Sequence, residues 1–480
     1  MMVKLLSLLD RLDRMMTRWR LALGVLFALV LSAALAVYNV SGGPLRNLND
    51  IGGWSNRALF IAMTAAVHAA VLCLCVLLYR GRFSRLALRE LILTVGMYIM
   101  LIAINQKTYA YVKGIQPIVR AMDEGGLAAA AGFETNLSMP AAALLYLVTR
   151  GPVYDMYLVK LLCIGCMLAL CVLLAWAADR AEMGIRTEVL LTLAVILPQG
   201  FMNAACSAQL EVAGVCLLAV SLALAASQKK RTMLSALCFG AACALCGACL
   251  YALPVYMVLF RERKQRVCSA GIAAAAVLAL CLPALIGGVS LGETGASLVR
   301  TNLGTPAYAS GAPNIMSLIA RPVMEETPQY APLLRHLPEL DASANAQQDY
   351  TPSHYVWIAR GFTLAGLAMY MGVCALIARD KKLHGFEGVL ALTLSALLVC
   401  PGVGSGAWLA ADLLCLWAVL ARPKLRLPAC MVLFATAGAS CYPMTEETML
   451  PMAAAAVLCL LALCLLLGVI PMNREEEAHG

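Results

Sequence analysis

The chain has 480 residues, of which 62% are hydrophobic and only 13% carry a charged side chain. Soluble domains carry about 25% charged residues, so this composition excludes an ordinary water-soluble enzyme. The formal net charge is +9. Because the basic residues cluster in short loops between apolar runs, we attribute this charge to orientation in a membrane and not to nucleic-acid binding.

Apolar segments that could cross a bilayer as helices recur along the whole chain. We predict spans at 21–38, 58–79, 91–104, 153–177, 187–201, 209–227, 232–247, 248–260, 267–288, 356–378, 386–400, 406–421, 427–441 and 450–471. Several are short, and the region 232–260 is either re-entrant or a broken pair. Because backbone groups in lipid must be satisfied within their own segment, the predicted fold is an all-α polytopic integral membrane protein with about 12–14 transmembrane helices.

The short basic loops fall on one side of this scheme, and the positive-inside rule places that side in the cytoplasm. These loops are 80–90, 227–231, 261–266, 378–382 and 421–426. We therefore predict a multi-pass protein of the cell membrane with both termini cytoplasmic. Two long stretches, 105–152 and 289–355, are then external loops, and loops of such length are usually functional or disordered.

The segment 125–150 is predicted to be a glycine-broken helix at the membrane surface and not a span. It has only about 11 apolar residues before Arg150, whereas a span needs roughly 20.

The 20 cysteines lie mostly inside apolar spans, where cysteine packs as a small hydrophobe. Cys243, Cys246 and Cys249 have a metal-like spacing, but no histidine stands near them, so we expect packing and no metal site. We predict no cofactor, with a divalent cation left open.

Polar residues interrupt the apolar pattern in the string NAACSAQLE, residues 203–211. On a continuous helix Asn203, Ser207 and Glu211 share one face, while Gln209 points elsewhere. Ionisable groups at membrane depth are costly and usually face a cavity or a partner, which makes these residues functional candidates. The alternative is a solvated helix end at the external interface.

The residues around this string resemble a known motif order. The matching residues are Asn203, Gln209, Phe239, Gly240 and Pro254. They resemble the pattern N-S-A-x-W-G-Q-x-D, then F-G and a later proline, of GT-C membrane glycosyltransferases related to the second mannosyltransferase of GPI-anchor synthesis, a family with many bacterial relatives. Glu211 stands where the family has Asp, and Ser207 and Ala208 replace Trp-Gly.

The two external stretches are similar to the same family. Residues that fit its first external loop and the following Y-x-x-K-L helix start are Gly125, Gly126, Asn136, Pro140, Tyr146, Tyr157, Lys160 and Leu161. Ala312, Pro313 and Asn314 resemble its N-A-P-N-x-x-x-L motif. The resemblance covers about 105–420. It implies an added N-terminal part at 1–90 with an amphipathic segment and two helices, a GT-C-like core at 91–421, and C-terminal helices with a cytoplasmic tail at 422–480.

The polar motifs of the family are partly missing. The family places an aspartate, taken as the catalytic base, where this chain has Asn105, Gln106 and Lys107. Its late polar motif is replaced by 404–406, which reads Gly-Ser-Gly.

The resemblance implies transfer of a hexose from a polyprenyl-phosphate-linked sugar to a hydroxyl acceptor on the external face. A carboxylate must take the acceptor proton, and cations or polar groups must hold the phosphate and sugar. The catalytic candidates are Glu211 and Glu124. The substrate-binding candidates are Asn203, Gln209, Asn136, Asn314, Arg321 and Arg120. The expected partners are the lipid-linked donor and the bilayer, with no nucleic acid.

Two alternatives remain open from the sequence. The transferase is either active or catalytically altered, because the expected acid is absent. A transporter or flippase-like carrier of a lipid-linked or small polar solute would also use a polar stripe such as Asn203, Ser207 and Glu211. The two unequal external loops and the lack of a visible two-fold repeat speak against a carrier.

Overall fold

The computed structural model describes residues 11–46, 48, 51–108, 110–132, 137–181, 186–226, 232–254, 263–303, 312–318, 353–379, 386–399, 405–440 and 450–468. Within these ranges the regular structure is helical and contains no strand. The principal helices in chain order are α1 (Arg20–Ser41), α2 (Trp54–Leu78), α3 (Phe83–Ile102), α4 (Gln116–Gly125), α5 (Met139–Thr149), α6 (Asp155–Arg180), α7 (Thr187–Val195), α8 (Glu211–Ala226), α9 (Thr232–Leu245), α10 (Arg263–Ile286), α11 (Leu291–Leu303), α12 (Ser353–Arg379), α13 (Phe386–Val399), α14 (Ser405–Ala421), α15 (Arg426–Ser440) and α16 (Met452–Leu466).

The all-helical prediction is confirmed, and a helix occupies almost every predicted span. The exception is 248–260, where a 3₁₀ turn at Gly247–Ala252 follows α9 and residues 255–262 lie outside the described part. The predicted span 187–201 is also not straight. It consists of α7 and the segment Pro198–Cys206, which meet at an angle of 44°.

Four helices in the described part of the chain are long and apolar enough to cross a membrane. They are α1, α2, α6 and the stretch Lys264–Ile286 of α10, and the bent pair that begins with α7 would make a fifth. Large apolar side chains such as Leu26, Val37 and Leu77 are exposed on α1 and α2. These features support a membrane protein, while the helix number and the orientation of the termini stay predictions.

The segment 125–150 is broken by glycine, as predicted. Helix α4 ends at Gly125, and Gly126 follows in the left-handed region with φ +70°, where a residue without a Cβ is favoured. After a 3₁₀ turn at Leu127–Gly132, α5 has 11 residues, or about 16 Å of helix. This helix is too short for a span, and its place at the membrane surface stays a prediction.

The helices group into two compact units. The first contains residues 1–107 and 147–208, and the second contains 108–146 and 209–480. Compactness is a different criterion from family resemblance, so the three-part division at residues 90 and 421 stays a prediction.

Helix α6 is the central helix of the first unit. It packs against α2, α3 and α7, and its side chains are buried on nearly every side. A helix that is apolar all round is typical of the interior of a bundle. Polar groups carried by α6 therefore have to find partners inside this unit.

A buried ion cluster joins α3, α6 and α7 in the first unit. The Arg89 guanidinium donates to both carboxylate oxygens of Asp179 at 2.6 and 3.0 Å and to Glu188 at 3.0 and 3.2 Å. Its planar face lies 4.1 Å from the ring centroid of Tyr79, and Thr187 donates to Asp179 at 2.7 Å. The fork of donors on arginine suits such paired carboxylates and joins α3 to the end of α6 and the start of α7.

Helices α9 and α10 approach each other closely in the second unit at Gly240. A Cβ added there would lie within van der Waals overlap of the α10 backbone, 2.2 Å from the carbonyl oxygen of Ala273. Small residues at helix contacts allow backbones to come this near.

We predict that Gly240→Ala lowers the stability of the folded protein by about 1–3 kcal/mol, because the added methyl group forces the two backbones apart. Gly271→Ala on α10 is the matched control, since nothing lies within 4 Å of its added Cβ. Replacing glycine by alanine in an open helical position stabilises a helix, so the control should melt at an equal or higher temperature. Thermal unfolding in detergent checks both, and equal changes in the two variants would contradict this packing.

Candidate functional site

Lys160 holds the chain segment that follows α3. Its side chain is fully buried, and its ammonium donates to the carbonyl oxygens of Ala103 at 3.1 Å, Ile104 at 3.3 Å and Gln106 at 2.5 Å. The last carbonyls of a helix have no partner within the helix, and a cation placed there satisfies them and interacts favourably with the helix dipole. The segment 103–107 is thereby fixed against α6.

Tyr157, one turn before Lys160, holds the same segment through a side chain. Its hydroxyl donates to Oδ1 of Asn105 at 2.7 Å. The ammonium of Lys107 lies 5.5 Å from the ring centroid of Tyr154, within range of a cation–π interaction. The place where the resemblance expects a catalytic acid is therefore an ordered segment with an amide and an exposed cation.

Asn203 lies in a π-helical turn, Phe201–Cys206, of the first unit. Its side chain is buried and donates to the carbonyl oxygen of Gln199 at 2.8 Å. Cys206, at the end of the turn, approaches Oε1 of Gln106 with its sulfur at 3.8 Å. The first unit thus brings the start of the NAACSAQLE string next to the segment held by Lys160.

The prediction that Asn203, Ser207 and Glu211 share one helical face is wrong. The π-helical turn ends at Cys206, Ala208 is left-handed, and α8 begins only at Glu211. Residues four positions apart share a face only if every residue turns the helix by the same angle. The wider π-helical turn and the left-handed residue both change that angle. Asn203 and Ser207 belong to the first unit, and Glu211 belongs to the second.

Ala208 is the only non-glycine residue with a positive φ, +56°, in the described ranges. The left-handed conformation costs a residue with a Cβ roughly 1–2 kcal/mol, and glycine adopts it freely. The family pattern has glycine at this position. The backbone therefore keeps a conformation suited to glycine although the side chain is alanine.

Glu211 lies beside Gly406 in the second unit. Its Oε2 atom is 3.0 Å from the position that a Cβ on Gly406 would occupy, and the Cβ of Gln209 is equally near. Glu211 is the first residue of α8, and Gly406 is the second residue of α14. The half-buried carboxylate thus meets the amino-terminal turns of two helices, whose dipoles favour a negative charge.

The remaining candidates lie in other settings. Glu124 and Arg120 are exposed, one turn apart on α4. Asn314 is buried, and its Oδ1 accepts hydrogen bonds from the backbone and hydroxyl of Ser317 at 3.1 and 3.3 Å, which caps a short 3₁₀ turn. Asn136 and Arg321 lie outside the described residues. The binding roles of all these residues stay predictions.

Sequence reasoning missed Asp412 on α14. Its side chain is 1% exposed, and Oδ1 accepts a hydrogen bond from the Thr436 hydroxyl at 2.6 Å. The sequence does indicate this residue, because Asp412 is the single acid in the predicted span 406–421. An acid at membrane depth is a functional candidate. Within the described ranges no group of three His, Cys, Asp or Glu side chains has an arrangement that could hold a metal ion.

No known protein family, curated protein or solved structure matches the chain. The resemblance to GT-C enzymes rests on the motif residues of the sequence and stays a prediction.

We predict that Lys160→Met destabilises the protein by about 1–3 kcal/mol, because the buried carbonyls at 103–106 lose their donor. Lys107→Met is the matched control, since Lys107 is an exposed lysine in the same unit. Thermal unfolding in detergent separates the two. A loss of stability no larger for Lys160→Met than for Lys107→Met would contradict the proposed fixing of this segment.

Ala208→Gly should stabilise the protein by roughly 0.5–1 kcal/mol, which is the relieved strain less the greater chain entropy of glycine. Ala205→Gly removes the same methyl group from a buried position where φ is not positive, so it should destabilise. Opposite shifts of the melting temperature are expected. A lower melting temperature for Ala208→Gly would show that the left-handed backbone is not strained.

Proposed function

We propose that the chain is a polytopic membrane protein with a GT-C-like core, which transfers a hexose from polyprenyl phosphate to a hydroxyl acceptor on the external face. The observation that carries the proposal is the contact of Tyr157 and Lys160 with the segment 103–106. These are the residues that match the Y-x-x-K-L helix start. The segment that they hold is the one where the family places its catalytic acid.

Three further motif positions support the proposal. Ala208 keeps a backbone conformation that favours the glycine of the family pattern. Glu211 replaces the Asp of one motif, Gly406 belongs to the stretch that replaces another, and the two are in contact. Positions almost 200 residues apart, each assigned by resemblance, therefore meet in the second unit.

Glu211 is the proposed base. Its carboxylate takes the proton of the acceptor hydroxyl, the acceptor oxygen bonds to the anomeric carbon of the sugar, and the polyprenyl phosphate leaves with the bonding electron pair. The carboxylate of Glu211 lies at the first turn of α8 and beside the first turn of α14.

The test is a transfer assay with purified protein, using polyprenyl-phosphate mannose and polyprenyl-phosphate glucose as donors and following the release of polyprenyl phosphate. We expect release with at least one donor. Loss of a general base lowers a rate about 10²–10⁴-fold. The transfer rate of Glu211→Gln should therefore fall by about this factor, while its melting temperature stays near that of the wild type. Asp123→Asn, an exposed acid on α4, is the control and should keep full activity.

The other outcomes separate the alternatives. Loss of activity in Glu124→Gln and not in Glu211→Gln would assign the base to α4. Binding of the donor without release of sugar would indicate a catalytically altered descendant. Transfer of intact lipid-linked donor between the leaflets of a vesicle, without release of sugar, would indicate the carrier.

A further inference from the structure

Three helices of the first unit share a buried hydrogen-bonded group centred on His68 of α2. The ring is fully buried, and its Nδ1 atom lies 3.1 Å from the hydroxyl of Ser32 on α1. Its Nε2 atom lies 3.1 Å from the hydroxyl of Thr94 on α3. Both ring nitrogens are therefore engaged inside an apolar bundle, and no part of the proposed transfer uses them.

The direction of these hydrogen bonds follows from their partners. The Thr94 hydroxyl lies 2.7 Å from the carbonyl oxygen of Glu90, which can only accept, so Thr94 donates there. The oxygen of Thr94 then accepts from Nε2–H of His68, and Nδ1 of the neutral ring accepts from Ser32. When Nδ1 gains a proton, it donates to the oxygen of Ser32, so the ring is hydrogen-bonded in both charge states.

Glu90 has a buried carboxyl group one helical turn from Thr94. Its side chain is fully buried, and neither carboxyl oxygen has a hydrogen-bond partner in the part of the chain that the structure describes. A buried carboxylate without donors is strongly disfavoured, so this group carries its proton. Glu90 precedes the predicted span 91–104, and burial raises its pKa to about 8.

The charged groups around Glu90 do not offset a negative charge on it. Arg89, its neighbour on α3, is already bound by Asp179 of α6 and Glu188 of α7. The thiol of Cys75 on α2 is near enough to interact electrostatically with Arg89, Glu90 and Asp179. The side chain of Asp179 is 31% exposed, so solvent reaches the edge of this cluster.

We propose that Glu90 and His68 form a proton-binding site in the first unit, reached from solvent at the Arg89–Asp179 end. The carboxyl O–H bond of Glu90 breaks when the proton leaves to water, and the electron pair stays on the carboxylate. His68 binds a proton with the lone pair of Nδ1. The hydrogen bond to Thr94 fixes the neutral ring in the tautomer whose Nδ1 carries no proton. The site is independent of the proposed sugar transfer and gives the unit a charge that changes with pH.

Infrared spectroscopy of the full-length protein in lipid vesicles tests the acid. At neutral pH the wild type should show a carboxylic-acid C=O band that is lost in Glu90→Gln and kept in Asp123→Asn. The same band should fade as the pH rises past about 8 and return on reversal. A carboxylic-acid band that is unchanged in Glu90→Gln would overturn the proposal.

Nitrogen NMR with labelled histidine tests the ring. At neutral pH His68 should carry its proton on Nε2, and acid should add a second proton reversibly while the protein stays folded. Thr94→Val should abolish the single tautomer, and Thr94→Ser, which keeps the hydroxyl, should restore it. A His68 ring that stays neutral until the protein unfolds would overturn the proposal.

The proposal also predicts how stability depends on pH. The pKa of Glu90 is raised from 4.5 to about 8, so the folded state holds this proton more tightly than the unfolded state. Its contribution to stability is complete below about pH 4.5 and is lost as the pH rises to about 8. Glu90→Gln should therefore lose less stability than the wild type between pH 5 and pH 8. Equal losses in unfolding experiments would contradict a proton held by Glu90.

Discussion

A polar group enclosed by apolar helices is stabilised by a hydrogen-bonding partner within the protein, and buried groups that hold the first unit together meet this constraint. Lys160 is the clearest case. Its ammonium is buried, and it donates to three carbonyls of the segment that follows α3. Each group satisfies the other, and the result is a fixed segment at 103–107. The Arg89 cluster joins three helices in the same way, through hydrogen bonds between oppositely charged side chains.

The same constraint decides where chemistry can occur. Asn203 and Asn314 are buried, and each makes a hydrogen bond to the nearby chain, while their binding roles stay predictions. Glu211 is only half-buried and lies at two helix starts, whose dipoles favour a negative charge. Glu90 is enclosed without partners, which favours its neutral form. The three environments differ in burial and in hydrogen bonding, and the proposed roles of these residues follow that difference.

The helices and the break at Gly126 could be predicted because they depend on local properties, namely the length of an apolar run and the conformational freedom of glycine. The predicted shared face of Asn203 and Glu211 is wrong because that prediction assumed a uniform helix through Ala208. The partners of Lys160 lie more than 50 residues away in sequence, and those of Asp412 lie on another helix. Such contacts depend on tertiary packing, so sequence identifies the polar residue but not the group that it meets.

The central claim is that the segment held by Lys160 lies at the external end of a membrane-spanning α6. This helix has 26 residues, or about 39 Å, with Lys107 near its beginning and Arg180 at its last turn. The most direct test is labelling of Lys107→Cys and Arg180→Cys in intact cells with a membrane-impermeant maleimide, in a variant whose other reactive cysteines are replaced by serine. The account predicts that position 107 reacts at once and that position 180 reacts only after the membrane is opened. Labelling of both positions from the same side would contradict it.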